Sequence, residues 1–235
     1  MKTAIITGAS SGLGREFARQ LTDIFPEIEC CWLIARREDR LEEIAREMVG
    51  VETVCLPLDL CDSMSFTTLQ EKLAAEKPEV AILINNAGCG YLGEVGQTET
   101  SLQTRMVDLN LRALTAITSM CIPYMEAGSK IINVSSINAT CPSDTLVHYG
   151  TSKAAVEFLT KGLAHDWGKY GIRVNCIAPG LIDAPMLDQW VPGWRESYCE
   201  RAPLGRLVSP EDLGNAAIFL GSPLASFITG QILTV

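Results

Sequence analysis

Tyr149 and Lys153 stand four residues apart in the run Tyr149-Gly150-Thr151-Ser152-Lys153. On a helix that spacing puts both side chains on one face. An ammonium beside a phenol stabilises the phenolate and so eases proton exchange. A phenol of this kind can give a proton to a carbonyl oxygen as hydride arrives at the carbon, and take it back in the reverse direction. Ser136 lies 13 residues before Tyr149, at the end of the apolar run 130–135. Its hydroxyl can hold a substrate carbonyl as a neutral donor. Ser135 is its immediate rival for that role. His148 beside Tyr149 invites a Ser-His-Asp reading, but no G-x-S-x-G elbow occurs and Ser136 ends a strand, which argues against a hydrolase.

A second constellation could bind a phosphate. Directly after the first apolar run comes Thr7-Gly8-Ala9-Ser10-Ser11-Gly12-Leu13-Gly14, opening a helical segment. Gly8 permits a tight turn, Gly12 lets backbone approach a pyrophosphate, and Gly14 lets helix and strand pack closely. The free N–H groups and positive end of the helix then face an anion. An acidic residue about 20 positions past such a turn grips the adenosine ribose of NAD. Here the second strand ends Ala35-Arg36-Arg37, with Arg36 22 residues past Gly14. A guanidinium binds a 2′-phosphate bidentately where a carboxylate would repel it, so NADP(H) is expected over NAD(H). Glu38 and Asp39 follow at once and could instead pair with the two arginines.

These groups need a scaffold that brings strand ends and helix starts together. Strands are predicted at 2–7, 30–35, 51–56, 80–84, 130–135, 172–178 and 231–235, and helices at 13–25, 39–48, 63–76, 100–126, 149–168 and 209–221. Strands apolar on both faces and separated by helices imply a parallel sheet covered on both sides. No linker, repeat or low-complexity tract interrupts the alternation. Residues 1–235 are therefore read as one doubly wound α/β domain, with the site at the carboxyl edge of the sheet.

The glycine spacing T-G-x-x-x-G-x-G, together with Asn85-Asn86-Ala87-Gly88 after the fourth strand and Tyr149-x-x-x-Lys153, resembles the short-chain dehydrogenase/reductase family. The resemblance runs from Thr3 to Val235 and includes Pro179-Gly180 and Ile228-Thr229-Gly230-Gln231. It implies a single Rossmann domain with a seven-stranded parallel sheet, order 3-2-1-4-5-6-7, and helices on both faces. It implies that Ser136, Tyr149, Lys153 and Asn110 do the catalytic work, Asn110 by holding a water that links the lysine to solvent. Residues Gly8, Ser10, Ser11, Gly12, Leu13, Gly14, Arg36, Arg37, Asp59, Asn86, Ala87, Gly88, Tyr149, Lys153, Pro179, Gly180 and Ile182 are the implied cofactor contacts. Asp59 would meet the adenine, although an N-cap for the helix from 62 is an alternative role. Residues 181–208 correspond to the family's substrate lid, where Met186, Leu187, Trp190 and Trp194 would form an apolar cover. Members that reduce 3-oxoacyl groups on acyl carrier protein carry basic docking residues where this chain has Ala127 and Tyr170, with Lys130 and Lys169 nearby. Members also continue past the last strand with Asp-Gly-Gly, which this sequence does not show after Val235. A homodimer or homotetramer is expected, with the tetramer the weaker expectation.

Composition bounds the remaining choices. The chain has 235 residues, 47% hydrophobic and 20% charged, with a net charge of −9. That excludes a disordered acidic tail, and the acidic balance argues against nucleic acid as a partner. Nine cysteines without a C-x-x-C read as reduced thiols rather than a disulfide framework. Two histidines without suitably spaced partners make no metal site. No window of 18 apolar residues occurs, so no membrane span and a cytoplasmic location are expected. A secondary alcohol or carbonyl compound is the expected substrate. The alternatives are a 3-oxoacyl-(acyl-carrier-protein) reductase, a non-catalytic NADP-binding sensor or scaffold, and a lyase or epimerase using the same acid/base pair.

Overall fold

In β1 (Lys2–Thr7), Ala4 and Ile6 enter one core and Ile5 the other, and all three are fully buried. Every residue of β2 (Cys30–Ala35) is buried as well. Side chains alternate faces along a strand, so such segments are stable only with a helix layer on each side. The computed structural model describes residues 1–183 and 193–235, the side chains of Thr22 and Asp23 excepted. It contains a seven-stranded sheet in the order β3-β2-β1-β4-β5-β6-β7, with every pair parallel. The other strands are β3 (Glu52–Pro57), β4 (Glu79–Asn85), β5 (Lys130–Val134), β6 (Arg173–Ala178) and β7 (Ile232–Thr234).

The helices are α1 (Gly12–Ile24), α2 (Glu38–Glu47), α3 (Ser63–Glu76), α4 (Thr100–Val107), α5 (Leu114–Cys121), α6 (Val147–Trp167), α7 (Trp194–Arg201) and α8 (Pro210–Gly221). On one face Phe17 and Leu21 of α1 and Leu213 and Leu220 of α8 pack with Ile6, Ile84 and Ile132. On the other, Leu69 and Leu73 of α3 and Ile117 of α5 pack with Ile5, Trp32, Leu83 and Ile131. A chain of buried amides and hydroxyls crosses this interior: Asn85 Nδ2 donates to Asn133 Oδ1 at 2.9 Å and to Thr118 Oγ1 at 3.0 Å. Asn133 Nδ2 donates in turn to Thr160 Oγ1 at 2.9 Å, so β4 and β5 are pinned to α5 and α6.

Two boundaries differ from the periodicity. The segment expected as one helix over 100–126 contains a π turn, Asp108–Ala113, between α4 and α5, and closes in a 3-10 turn at Ile122–Tyr124. Asn110 lies within this turn, its side chain directed to Cys89 and Ser152 outside the helix. Helix α7 was not expected, because WRESYCER carries no apolar stripe for a period to reveal. Its Arg195 pairs with Asp183, outside the helix, at 2.6 Å.

Candidate active site

The strand order reverses between β1 and β4, and the loops leaving these strands part to form a crevice at the carboxyl edge. Thr7, last in β1, closes its floor. Its hydroxyl accepts from the N–H groups of Asn86 and Ala87, each at 3.0 Å, and donates to Ile84 O at 3.4 Å. Gly8 follows with φ +68°, and a Cβ there would lie 2.8 Å from Asn86 Nδ2, so glycine is required twice over. A Cβ on Gly14 would overlap the Gly8 carbonyl oxygen. Ser11 at the α1 N-cap makes no side-chain cap bond, and the first turn of α1 has no acidic residue. Its N–H groups are thus left for an outside anion.

Beside this turn lies a cavity of about 340 Å³, lined by Gly8, Ser10, Ser11, Leu13, Arg36, Arg37, Asp59, Asn86, Ala87 and Gly88 among others. Arg37 Nη2 reaches the carbonyl and hydroxyl oxygens of Ser10, each at 3.4 Å. Neither Arg36 nor Arg37 pairs with Glu38 or Asp39 among the described residues. Those carboxylates instead occupy the first turn of α2, where its N-terminus favours negative charge. Asp59 accepts from Cys61 N at 3.0 Å and faces Arg105 at 3.6 Å, while the N-cap of α3 is Asp62, which accepts from Met64 N.

A second cavity of about 360 Å³ shares Leu13, Asn86 and Gly88 with the first and contains Ser136, Tyr149 and Lys153. Lys153 is buried, and its Nζ donates to Val134 O at 2.8 Å and lies 5.7 Å from the centre of the Tyr149 ring. Ser136 Oγ accepts from Asn138 N at 3.2 Å. The neighbouring Ser135 turns into the protein, toward the Lys153 carbonyl at 3.1 Å and Glu157 Oε1 at 3.0 Å. Pro179, Gly180, Ile182 and Trp194 line the same cleft, as do the apolar Leu92, Leu146 and Leu181. Met186, Leu187 and Trp190 lie outside the described residues.

Asn110, in the π turn, accepts from Cys89 N at 2.8 Å and donates to Cys89 O and Ser152 Oγ, each at 2.9 Å. Ser152 passes the restraint on by donating to the Tyr149 carbonyl at 2.7 Å. A Cβ on Gly88 would stand 3.2 Å from Asn110 Oδ1 and 3.3 Å from Lys153 Nζ, so both polar atoms flank that glycine. Gly90 is similarly tight, 3.3 Å from Tyr149 Cδ2 for an added Cβ. Thr7, Ser152 and Gly90 are residues that sequence reasoning missed; the signal for Gly90 is its place just past Asn86-Ala87-Gly88.

Thiols play no visible part in this arrangement. Burial pushes Cys121 and Cys176 up to about 12 and raises Cys31 further, which keeps them as unreactive thiols. Cys89 lines the cleft, and desolvation raises it too. Among the described residues no group of three or more His, Cys, Asp or Glu could hold a metal ion, and no helix is long and apolar enough to cross a membrane.

The family model described as Enoyl-(Acyl carrier protein) reductase matches residues 8–235. The chain belongs to the short-chain dehydrogenase/reductase family and is an oxidoreductase of that family. Among its relatives is a 3-oxoacyl-(acyl-carrier-protein) reductase of Thermotoga maritima, 30% identical over 240 residues, covering 100% of this chain and 96% of that protein. A 7alpha-hydroxysteroid dehydrogenase of Escherichia coli is 31% identical over 237 residues, covering 100% and 92%. A solved 3-ketoacyl-(acyl-carrier-protein) reductase of Brucella melitensis, complexed with NADH, superposes with a TM-score of 0.88 at 31% identity, covering 100% and 96%. Enzymes of this family bind a nicotinamide cofactor.

Proposed function

We propose that this protein transfers a hydride between NADP(H) and a carbonyl compound or secondary alcohol. The observation that carries the reading is the convergence of Ser136, Tyr149 and Lys153 on one cleft that runs on into the glycine turn. The bound cofactor supplies or accepts the hydride. Its pyrophosphate suits the open N-terminus of α1, and its adenosine end suits the cavity of Arg36, Arg37 and Asp59, with guanidinium groups available for a 2′-phosphate. Asn86 and the backbone of Pro179, Gly180 and Ile182 line the way to the reacting end. Ser136 holds the substrate oxygen, Tyr149 delivers the proton that converts the reduced carbonyl to a hydroxyl, and the Lys153 ammonium stands behind the phenol. Asn110 and Lys153 both flank Gly88, and the role given to Asn110 is to hold, beyond its bonds to Cys89 and Ser152, a water that links the ammonium to solvent. The apolar wall of Leu92, Leu146, Leu181 and Trp194 favours a substrate with a hydrophobic body.

The relatives named above favour one narrower reading, a 3-oxoacyl thioester substrate. Against a carrier protein as its bearer stand the net charge of −9 and the residues Ala127 and Tyr170 at the expected docking places. A homodimer through α4, α5 and α6 and a cytoplasmic location belong to the same reading; Val107 and Phe158 are exposed on these helices.

NADPH oxidation against a carbonyl panel, repeated with NADH, tests the proposal. Tyr149→Phe is expected to lower kcat about 10²- to 10⁴-fold while NADPH still binds. Wild-type turnover in that variant would sink the acid/base assignment, and a protein that binds NADPH but turns over no carbonyl would be a sensor.

A further inference from the structure

Glu157 is a charged residue that the reading above leaves without a task. It lies one turn beyond Lys153 on the buried face of α6 and is 8% exposed. A buried carboxylate is costly unless hydrogen-bonded, and an amide or apolar side chain would fill the same space more cheaply. Its hydrogen-bond donor among the described residues is Ser135 Oγ, 3.0 Å from Oε1. The same hydroxyl is 3.1 Å from the Lys153 carbonyl oxygen. It has a single proton, and the charged acceptor takes it more strongly than the peptide oxygen does. Ser135 is otherwise fixed through its N–H, which donates to Ile177 O at 2.8 Å.

This small contact sits at a junction. The residue after Ser135 is Ser136, and the turn before Glu157 carries Lys153, with Tyr149 one turn earlier. The hydroxyl is held on the strand side by its own backbone and on the helix side by the carboxylate. We infer that Glu157 is a positioning residue: by holding Ser135 Oγ it sets the distance between the end of β5, which carries Ser136, and the stretch of α6 that carries Tyr149 and Lys153. The inference rests on the proposed carbonyl chemistry for its kinetic consequence, not for its geometry. An error of a fraction of an ångström between the group that holds the carbonyl and the group that protonates it costs rate without costing cofactor affinity.

The test compares Glu157→Leu, Glu157→Gln and Ser135→Ala with wild type by steady-state kinetics, NADPH calorimetry and hydrogen-exchange mass spectrometry. Glu157→Leu and Ser135→Ala should each lower kcat about tenfold with NADPH affinity within about twofold. Glu157→Gln, whose amide oxygen still accepts, should stay within about threefold of wild type. The double variant Ser135→Ala/Glu157→Leu should be no slower than Ser135→Ala alone, which already removes the hydroxyl's contacts with both Glu157 and the Lys153 carbonyl. Amide exchange should quicken over Ser135–Asn138 and stay unchanged in β2 and α2. Wild-type kcat in Glu157→Leu would overturn the inference whatever Ser135→Ala shows, as would exchange that rises equally across the sheet, the mark of a general brace. Should Glu157→Leu not fold, Ser135→Ala and Glu157→Gln decide on the same criteria. If no carbonyl is turned over, or Tyr149→Phe keeps full activity, it is the functional reading that fails. The exchange pattern then still decides whether Glu157 holds the Ser136 turn.

Discussion

Helices α1 and α8 lie side by side on one face of the sheet, with Gln20 of α1 donating to the Glu211 carbonyl at the start of α8. Their N-termini treat the same unpaired N–H groups in opposite ways. Helix α8 is closed by its own chain: Ser209 Oγ accepts from Asp212 N, and the Asp212 carboxylate accepts from Ser209 N. Arg206 then grips that carboxylate at 2.5 and 3.0 Å. Helix α1 has Ser11 at the cap position but no cap bond, no acidic residue in its first turn, and glycines where a side chain would intrude. A helix end that satisfies itself is a structural joint. One left open beside a strand reversal is available to a ligand, and this difference supports the cofactor site at α1.

Breaking the open end should give the largest effect. Gly14→Val drives a side chain into the Gly8 carbonyl and is expected to weaken NADPH binding more than about 100-fold by calorimetry, with a lower Tm. Arg36→Ala should weaken NADPH about tenfold and leave NADH unchanged, a loss of about 1.4 kcal/mol. Equal losses for both nucleotides would remove Arg36 as the phosphate ligand.

The closed end should answer in stability and not in affinity. Asp212→Ala is expected to cost about 1 kcal/mol, seen as a Tm lower by about 2–4 °C, with NADPH affinity untouched. The Arg206 guanidinium, with Ser209 adding to it, holds the Asp212 carboxyl well below the usual carboxylate range. A depressed native value means that the contribution is present above the unfolded value, about 3.9, and is lost as pH falls from there toward the native one. Urea melts at pH 7 and near pH 3 should therefore show the gap between wild type and Asp212→Ala narrowing in acid. The smallest effect is expected for Ser11→Ala, within about 0.5 kcal/mol of wild-type stability, because no cap bond is lost.

The strands were legible because each is built on a short apolar, largely β-branched run, uninterrupted in Cys30–Ala35, and all seven lie within about one residue of their expected bounds. The glycine turn was legible because steric demands permit only one residue type at Gly8 and Gly14. Family spacing favoured Ser136 over Ser135, but it could not say what the second serine does, since adjacent residues of a strand present opposite faces. In the fold both serines border the cleft, but the Ser135 hydroxyl is turned to Glu157 and the Lys153 carbonyl. The π turn at Asp108–Ala113 was hidden for a related reason: periodicity reports which face is apolar, not an added residue in one turn. Helix α7 escaped because it carries no apolar stripe, and the Asp183 partner of its Arg195 lies outside the segment itself.

Taken alone, the chain's residues determined the doubly wound class and the types of group available for hydride transfer, while the strand order was implied only by the resemblance to the family. Those features follow from local sterics and from hydrophobic alternation, which each segment carries within itself. Only the tertiary structure decided that Asn110 is consumed by Cys89 and Ser152, that Thr7 ties β1 to the loop after β4, and that Glu157 stands behind Ser135. These are contacts between residues 21 to 80 positions apart, and no segment records the partner that folding will bring to it.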